Sequence, residues 1–227
     1  MNKSIDFSET HVLVIDDEEF MRKMICRLLG MIGVTKISVA TDGSDGLSKL
    51  MDDPPDLIVL DIMMEPMNGL KFLKSVRIGL SGAARDLPVI VLTGSNEQAV
   101  FGTAMALDCN AFVRKAESSD AIRDRMARVL TEPLEIDKTA VYHAVKIPDI
   151  TINAPPADPP QEDTPPSAEA YQVSIEDVPT GALVARNVTT VDGSMLLAAG
   201  SVLSGANLNR LKDLSEIVEL SSIWVET

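Results

Sequence analysis

Residues 57–69 read Leu57-Ile58-Val59-Leu60-Asp61-Ile62-Met63-Met64-Glu65-Pro66-Met67-Asn68-Gly69. Four consecutive apolar residues of strand length end on a carboxylate, and a turn bearing a proline follows. An unbroken apolar run suits a strand covered on both faces, whereas a one-sided sheet would alternate. The same grammar repeats on either side, as in Val89-Ile90-Val91-Leu92 before Thr93. It places strands at 12–15, 37–40, 57–60, 89–92 and 111–113, and helix-period stretches at 19–31, 44–51, 69–77, 97–106 and 120–130, the last capped by Ser119. Strands alternating with longer helices predict an α/β fold, a doubly wound parallel sheet of five β/α units over residues 1–131.

Beyond that point the pattern degrades. Residues 132–147 are compatible with an extension of the last helix, an added strand or the start of a linker. Seven prolines (148, 155, 156, 159, 160, 165 and 166) then stand among acidic and small residues. Such a stretch buries too little to fold and favours extended conformations, so 132–170 reads as a linker, proline-rich from 148. Residues 171–227 form a second, small β-rich unit. Its strands are expected at 183–191 and 195–198 around the hairpin dipeptide Asp192-Gly193, followed by a short helix capped by Ser204 with Leu208 and Leu211 inward, and a closing strand at 223–225.

The net charge of -14 argues against a chain that grips phosphate backbones, since that affinity comes from Lys and Arg displacing counterions. Nucleic acid is therefore not an expected partner. Residues 1–10 carry no apolar signal core, and no stretch approaches the ~18 apolar residues of a membrane span, so no membrane insertion is expected and the location is read as cytoplasmic. The two cysteines, Cys26 and Cys109, are too few for a disulfide framework and lack metal-ligand neighbours.

In an open parallel sheet, functional groups collect at the carboxyl ends of the strands. Four of the five expected strands end on usable chemistry: Asp16 and Asp17, Asp61, Thr93, and Lys115. Three carboxylates brought together repel one another, and an all-oxygen cluster suits Mg2+. A carboxylate beside that ion can attack phosphorus and become an aspartyl phosphate. The ion, a lysine and a hydroxyl would then balance charge on the transferring oxygens.

Through Val-Ile-Asp16-Asp17-Glu, Val-Leu-Asp61-Ile-Met-Met-Glu-Pro-Met-Asn68-Gly69, Val-Leu-Thr93-Gly and Phe112-Val-Arg-Lys115, the chain resembles bacterial two-component response regulators in their receiver domain, a flavodoxin-like (βα)5 fold. The resemblance implies Asp61 as phosphoacceptor, with Asp17 binding Mg2+ directly, Asp16 assisting and the backbone carbonyl of Met63 as a further ligand. Thr93 and Lys115 would contact the phosphoryl group, and Phe112 would be the switching aromatic. It also implies a sensor histidine kinase or histidine phosphotransfer protein as donor and an unknown downstream protein partner. A homodimer would form through the face made by the fourth helix, fifth strand and fifth helix.

Two positions depart from the family. Ala116 follows Lys115 where most receivers have a cis proline, which predicts a differently shaped or more mobile loop. Met63 stands where many carry a polar side chain that positions water, which predicts slow self-dephosphorylation. The segment Pro179-Thr-Gly181-Ala-Leu-Val-Ala-Arg186, continuing to Asp192-Gly193-Ser-Met-Leu-Leu-Ala-Ala-Gly200, is similar to a β-rich segment that accompanies HD-GYP phosphodiesterases. The hydrolase itself is not expected, because neither His11 nor His143 precedes an aspartate and two histidines cannot build that metal site. Three other functions compete with the switch: an aspartyl-phosphate phosphohydrolase of the haloacid dehalogenase type, a DNA-binding transcriptional regulator, and a degenerate receiver acting as a scaffold. The first needs a second carboxylate two residues after the nucleophile, where this chain has Met63. No turnover enzyme is therefore expected.

Overall fold

The computed structural model describes residues 5–94, 98–132, 134, 136–148, 167, 169–191, 193–218 and 220–226. It divides into two compact units, Met1–Gly94 with Ala106–Ile147 and Ser95–Met105 with Pro148–Thr227. In the first unit, strands β1 (His11–Ile15), β2 (Lys36–Ala40), β3 (Leu57–Asp61), β4 (Val89–Thr93) and β5 (Ala111–Arg114) form one parallel sheet in the order β2-β1-β3-β4-β5. This is the strand order of a doubly wound sheet whose switch point falls between β1 and β3. Strands β1, β3 and β4 are buried at every position, as their unbroken apolar runs require.

One face carries α1 (Glu19–Met31) and α5 (Ser119–Thr131), whose Ile25, Leu29, Ile122, Met126 and Val129 pack with Val12, Val14, Val59, Ile90 and Leu92. The other carries α2 (Gly43–Asp52) and α3 (Gly69–Arg77). There Gly46 admits α2 so closely that a Cβ would stand 2.7 Å from Ile15 Cδ1 and 3.0 Å from Phe72. The cap of α5 differs by one residue from the sequence reading: Ser118 rather than Ser119 accepts from the N–H of Ala121, at 3.2 Å.

The described residues of 132–147 form neither a continuation of α5 nor a strand. They contain α6 (Thr139–Ala144), which is fastened within the first unit through Asp108, Arg85 and Lys74. The Tyr142 hydroxyl donates to Asp108 Oδ2 and accepts from the Asp137 N–H, both at 2.7 Å, and its ring lies under the Arg85 guanidinium. Burial and the Asp108 carboxylate push the Tyr142 phenol up to about 12. Lys74 Nζ donates to the carbonyls of His143 and Val145.

Behind this strap, the fully buried Arg77 at the end of α3 donates to the carbonyls of Arg85, Leu87, Leu107 and Asp108. One guanidinium thus satisfies carbonyls from two connecting loops.

The second unit contains α4 (Gln98–Ala106) as far as Met105 and the C-terminal residues. Strands β6 (Tyr171–Ser174), β7 (Leu183–Val184) and β10 (Ser222–Glu226) make an antiparallel sheet ordered β6-β10-β7, and β8 (Val188–Thr189) pairs with β9 (Met195–Leu197). Helix α7 (Gly205–Ser215) is capped by Ser204, as its sequence predicts, and buries Leu208, Leu211 and Leu214. The single strand expected over 183–191 is broken into β7 and β8, because β7 turns to pair with β10 while β8 pairs with β9. Asp192 of the hairpin dipeptide and the proline-rich 149–166 lie outside the described residues; Gly193 takes the left-handed φ of 81° that such a turn needs.

Replacing Arg77 by Met should leave several buried carbonyls without donors and lower unfolding stability by about 3 kcal/mol or more. Urea denaturation of the full chain measures this, and a loss under about 1 kcal/mol would show that the guanidinium is dispensable.

Candidate functional site

The register of the sheet decides which strand ends meet. Ile15 aligns with Leu60, Asp61 with Leu92 and Thr93 with Arg114. The residues next in line, Asp16, Asp17, Asp61, Thr93 and Lys115, therefore gather along one edge of the sheet. Asp16, Asp17 and Asp61 each bring a carboxylate oxygen within 4.8 Å of the others. Asp16 and Asp61 have no exposed surface, whereas Asp17 is exposed.

Each buried carboxylate is held on one oxygen by a local N–H. Asp16 Oδ1 accepts from Glu18 at 2.8 Å, and Asp61 Oδ1 from the half-buried Met63 at 3.3 Å. The other oxygens face Lys115, whose Nζ lies 2.9 Å from Asp61 Oδ2 and 3.4 Å from Asp16 Oδ2. These are ion pairs by distance but are poorly aligned as hydrogen bonds, so both Oδ2 atoms lack a directional donor. The charge attraction does not require alignment. The Thr93 hydroxyl is likewise buried without a hydrogen-bond partner.

The electrostatic balance is strained. Burial raises the Asp16 carboxyl to about 6, the negative charge of Asp61 adds to the rise, and Lys115 opposes it. Burial also raises Asp61, against the pull of Lys115 and the Met63 N–H. A cluster with three carboxylates and one ammonium has negative charge to spare.

The loop after Asp61 is built as tightly as the cluster. Asn68 caps α3 by accepting from the Lys71 N–H at 2.9 Å. A Cβ on Gly69 would overlap the Asp61 carbonyl oxygen, so only glycine lets α3 begin against the end of β3. The Gly43 N–H donates to the Met67 carbonyl at 3.0 Å, pinning this loop to α2. On the other side Arg22 donates to the Asp16 carbonyl at 2.7 Å. Sequence reasoning quoted Asn68 and Gly69 only as motif letters and missed Gly43 and Arg22; an Arg one turn into the helix after an Asp pair was the available signal for the last. Of the methionines in this loop, Met64 is buried, while Met63 and Met67 are half-buried.

Phe112 is buried on β5. After Lys115 the chain closes with the Lys115 N–H on the Thr93 carbonyl and the Glu117 N–H on that of Arg114. The cis peptide among the described residues is Glu65–Pro66, so Lys115–Ala116 is trans.

The chain is similar to known proteins over its first unit. The family described as "Response regulator receiver domain" matches residues 12–127. The chain is 34% identical over 120 residues to a protein-glutamate methylesterase/protein-glutamine glutaminase of Symbiobacterium thermophilum, covering 52% of this chain and 32% of that protein. It is 28% identical over 142 residues to Response regulator MprA of Mycobacterium tuberculosis, covering 63% of this chain and 59% of that one. Among solved structures, Vibrio cholerae chemotaxis protein CheY4 is 25% identical over 53% of this chain and 98% of its own, with a TM-score of 0.48. The match thus spans from about a third to about three-fifths of these curated relatives.

The Asp16 value of about 6 lies above the ~4 of an unfolded aspartate, so the native state binds more protons than the unfolded chain between those values. Stability therefore falls as pH rises through that window, and the penalty is complete above it. In metal-free buffer, Asp16→Asn should raise Tm by a few degrees near neutral pH and by little near ~pH 4. An equal shift at both pH values in thermal melts would contradict this.

Proposed function

The chain belongs to the response regulator receiver family, and from that premise we propose that it is a phosphorylation-gated switch whose phosphoacceptor is Asp61. The observation that carries this reading is the buried Asp61 carboxylate, with one oxygen held by Met63 and the other against Lys115, next to the partnerless Thr93 hydroxyl. A carboxylate so placed is a nucleophile with its charge-balancing groups already in position.

In this reading an Asp61 oxygen attacks the phosphorus of a phosphohistidine on a sensor kinase or phosphotransfer protein. The new O–P bond forms as the P–N bond breaks, and the imidazole leaves with its electron pair and takes up a proton. Lys115 shifts from the Asp61 carboxylate to a phosphoryl oxygen, and Thr93 donates its hydroxyl to another. Phosphorylation adds ~1.5–2 negative charges, which is ample to redirect both groups. Phe112, buried on β5, would follow Thr93 as the switching aromatic.

Mg2+ fits the donor set: three carboxylates whose oxygens converge, two of them buried with an oxygen lacking a directional donor, and negative charge in excess. Asp17, Asp16, Asp61 and the Met63 carbonyl would hold it. When bound, it would neutralise charge on the transferring oxygens.

We assign residues 1–131 to the receiver, 132–170 to a linker and 171–227 to an accessory module that acts through protein contacts rather than turnover. The methylesterase activity in a relative's name belongs to that protein, of which this chain matches about a third. A phosphohydrolase is disfavoured by Met63, which offers no second carboxylate. The likeness of 179–200 to the segment beside HD-GYP domains supports an accessory role. No helix among the described residues is long and apolar enough to cross a membrane. Cytoplasmic action and a homodimer through α4, β5 and α5 remain part of this proposal.

Incubation with acetyl phosphate and Mg2+ should add one phosphoryl mass to the native chain and none to Asp61→Asn, read by intact mass. No gain on the native chain would refute the switch. Met63→Asn should shorten the phosphoryl half-life severalfold, and an unchanged half-life would remove Met63 from the account of its persistence.

A further inference from the structure

At the end of the sheet away from the Asp cluster, a hydroxyl, an imidazole and a carboxylate stand in line. His11 opens β1, and Ser38 lies on β2 opposite Leu13. Alternate residues of a strand share a face, so the His11 imidazole and the Ser38 hydroxyl meet diagonally across the two strands. His11 Nε2 lies 2.8 Å from Ser38 Oγ, and its Nδ1 lies 4.0 Å from Asp53 Oδ2 at the end of α2. The rise of a strand puts His11 about 16 Å from Asp16. The two clusters are therefore separate.

His11 is 4% exposed, and its main chain is clamped by Asp56, whose carboxylate accepts from the His11 N–H at 2.8 Å and whose N–H donates to the His11 carbonyl at 2.9 Å. The ring has little freedom to turn away. Nδ1 is buried without a hydrogen-bond partner and faces the Asp53 carboxylate. Lys36, whose Nζ lies 2.8 Å from Asp53 Oδ2, hydrogen-bonds that carboxyl and holds it below its usual range, so the group facing Nδ1 is an anion. A lone pair on Nδ1 would point at this anion, whereas a proton there is attracted to it. The favoured tautomer thus carries its proton on Nδ1 and offers the Nε2 lone pair to the Ser38 hydroxyl. That is a base beside a nucleophile, with a third group orienting the base. Ser38 is half-buried, and β2 is an edge strand paired with β1 alone, which leaves the hydroxyl an open side.

We propose that Ser38 is a second reactive group of this chain, a nucleophile that accepts the acyl group of an activated ester, with His11 as its general base and Asp53 as a positioning residue. Ser38 Oγ attacks the carbonyl carbon while its proton passes to His11 Nε2. The Oγ–C bond forms and the bond from that carbon to the leaving oxygen breaks. The leaving oxygen keeps the electron pair and takes the proton from Nε2. The products are an acylated Ser38 and a free alcohol. Asp53 steadies the imidazolium that exists between the two proton transfers. The N–H groups on the outer side of β2 have no strand partner and offer donors to the oxyanion. None of this depends on Asp61, so the acyl acceptor stands or falls apart from the phosphoacceptor.

Reaction of the full chain with p-nitrophenyl acetate near neutral pH tests this. Peptide mapping by mass spectrometry should find Ser38 acetylated about a hundredfold faster than any other serine, and Ser38→Ala should lose that label. His11→Asn should slow the labelling of Ser38 about a hundredfold. Asp53→Asn should slow it severalfold, and Asp53→Glu should restore most of the rate. Acetylation of the surface lysines is the internal reference and should be the same in every variant. A cooperative thermal melt shows that His11→Asn is folded; if it is not, the exposed Asp53 variants decide. Ser38 labelled no faster than the other serines would overturn the nucleophile. Preferential labelling that survives His11→Asn would overturn His11 as the base, and labelling that Asp53→Asn leaves unchanged would overturn the part given to Asp53.

Discussion

Two carboxylates without exposed surface, Asp16 and Asp61, share one ammonium, and the construction of the first unit answers to that constraint. Each charge taken from water costs several kcal/mol unless it is paired and hydrogen-bonded. The compensating groups are few: Lys115 and one N–H each from Glu18 and Met63. They come from the ends of three strands, so only a sheet that sets β1, β3 and β5 in the right order and level can supply them. The short strands, buried on both sides, and the tight entry of α3 at Gly69 fix that level. Compensation is nonetheless incomplete, as the raised Asp16 and Asp61 carboxyls show. A divalent cation or a phosphoryl group held by Lys115 and Thr93 would change the balance.

Arg77 is the instructive contrast. It too is fully buried, but its guanidinium is surrounded by loop carbonyls that accept its hydrogens. A buried charge so enclosed fixes loops and has nothing left to offer a ligand. The Asp cluster instead keeps oxygens without directional donors, and Thr93 adds a hydroxyl in the same condition. Incomplete satisfaction, rather than burial or charge alone, separates the candidate site at the edge of the sheet from its structural anchor.

The sheet was legible because apolar runs such as Leu57–Leu60 carry their own signal and their ends name the site. The bounds of α1 and α3 were readable for the same reason: Glu19–Met31 and Gly69–Arg77 show a helical period and definite stops. Residues 132–147 were not, because α6 is only six residues long and its place depends on partners far away in sequence, Asp108, Arg85 and Lys74. Local pattern cannot encode a tyrosine hydroxyl finding an aspartate 34 residues away. The break between β7 and β8 has a similar origin, since each half is drawn to a different partner strand. A chemistry could be proposed for the site residues from their types, but the strain among their charges required distances.

Helix α4 brings both lessons together. A glycine in a helix interior costs about 1 kcal/mol relative to alanine, and a buried guanidinium carries its own desolvation cost. Within the second unit Gly102 of α4 meets Met195 of β9 and Arg210 of α7 meets Met105 of α4, and these two contacts offset both costs. The glycine admits the Met195 carbonyl, and the arginine finds the Met105 carbonyl that the helix end leaves over.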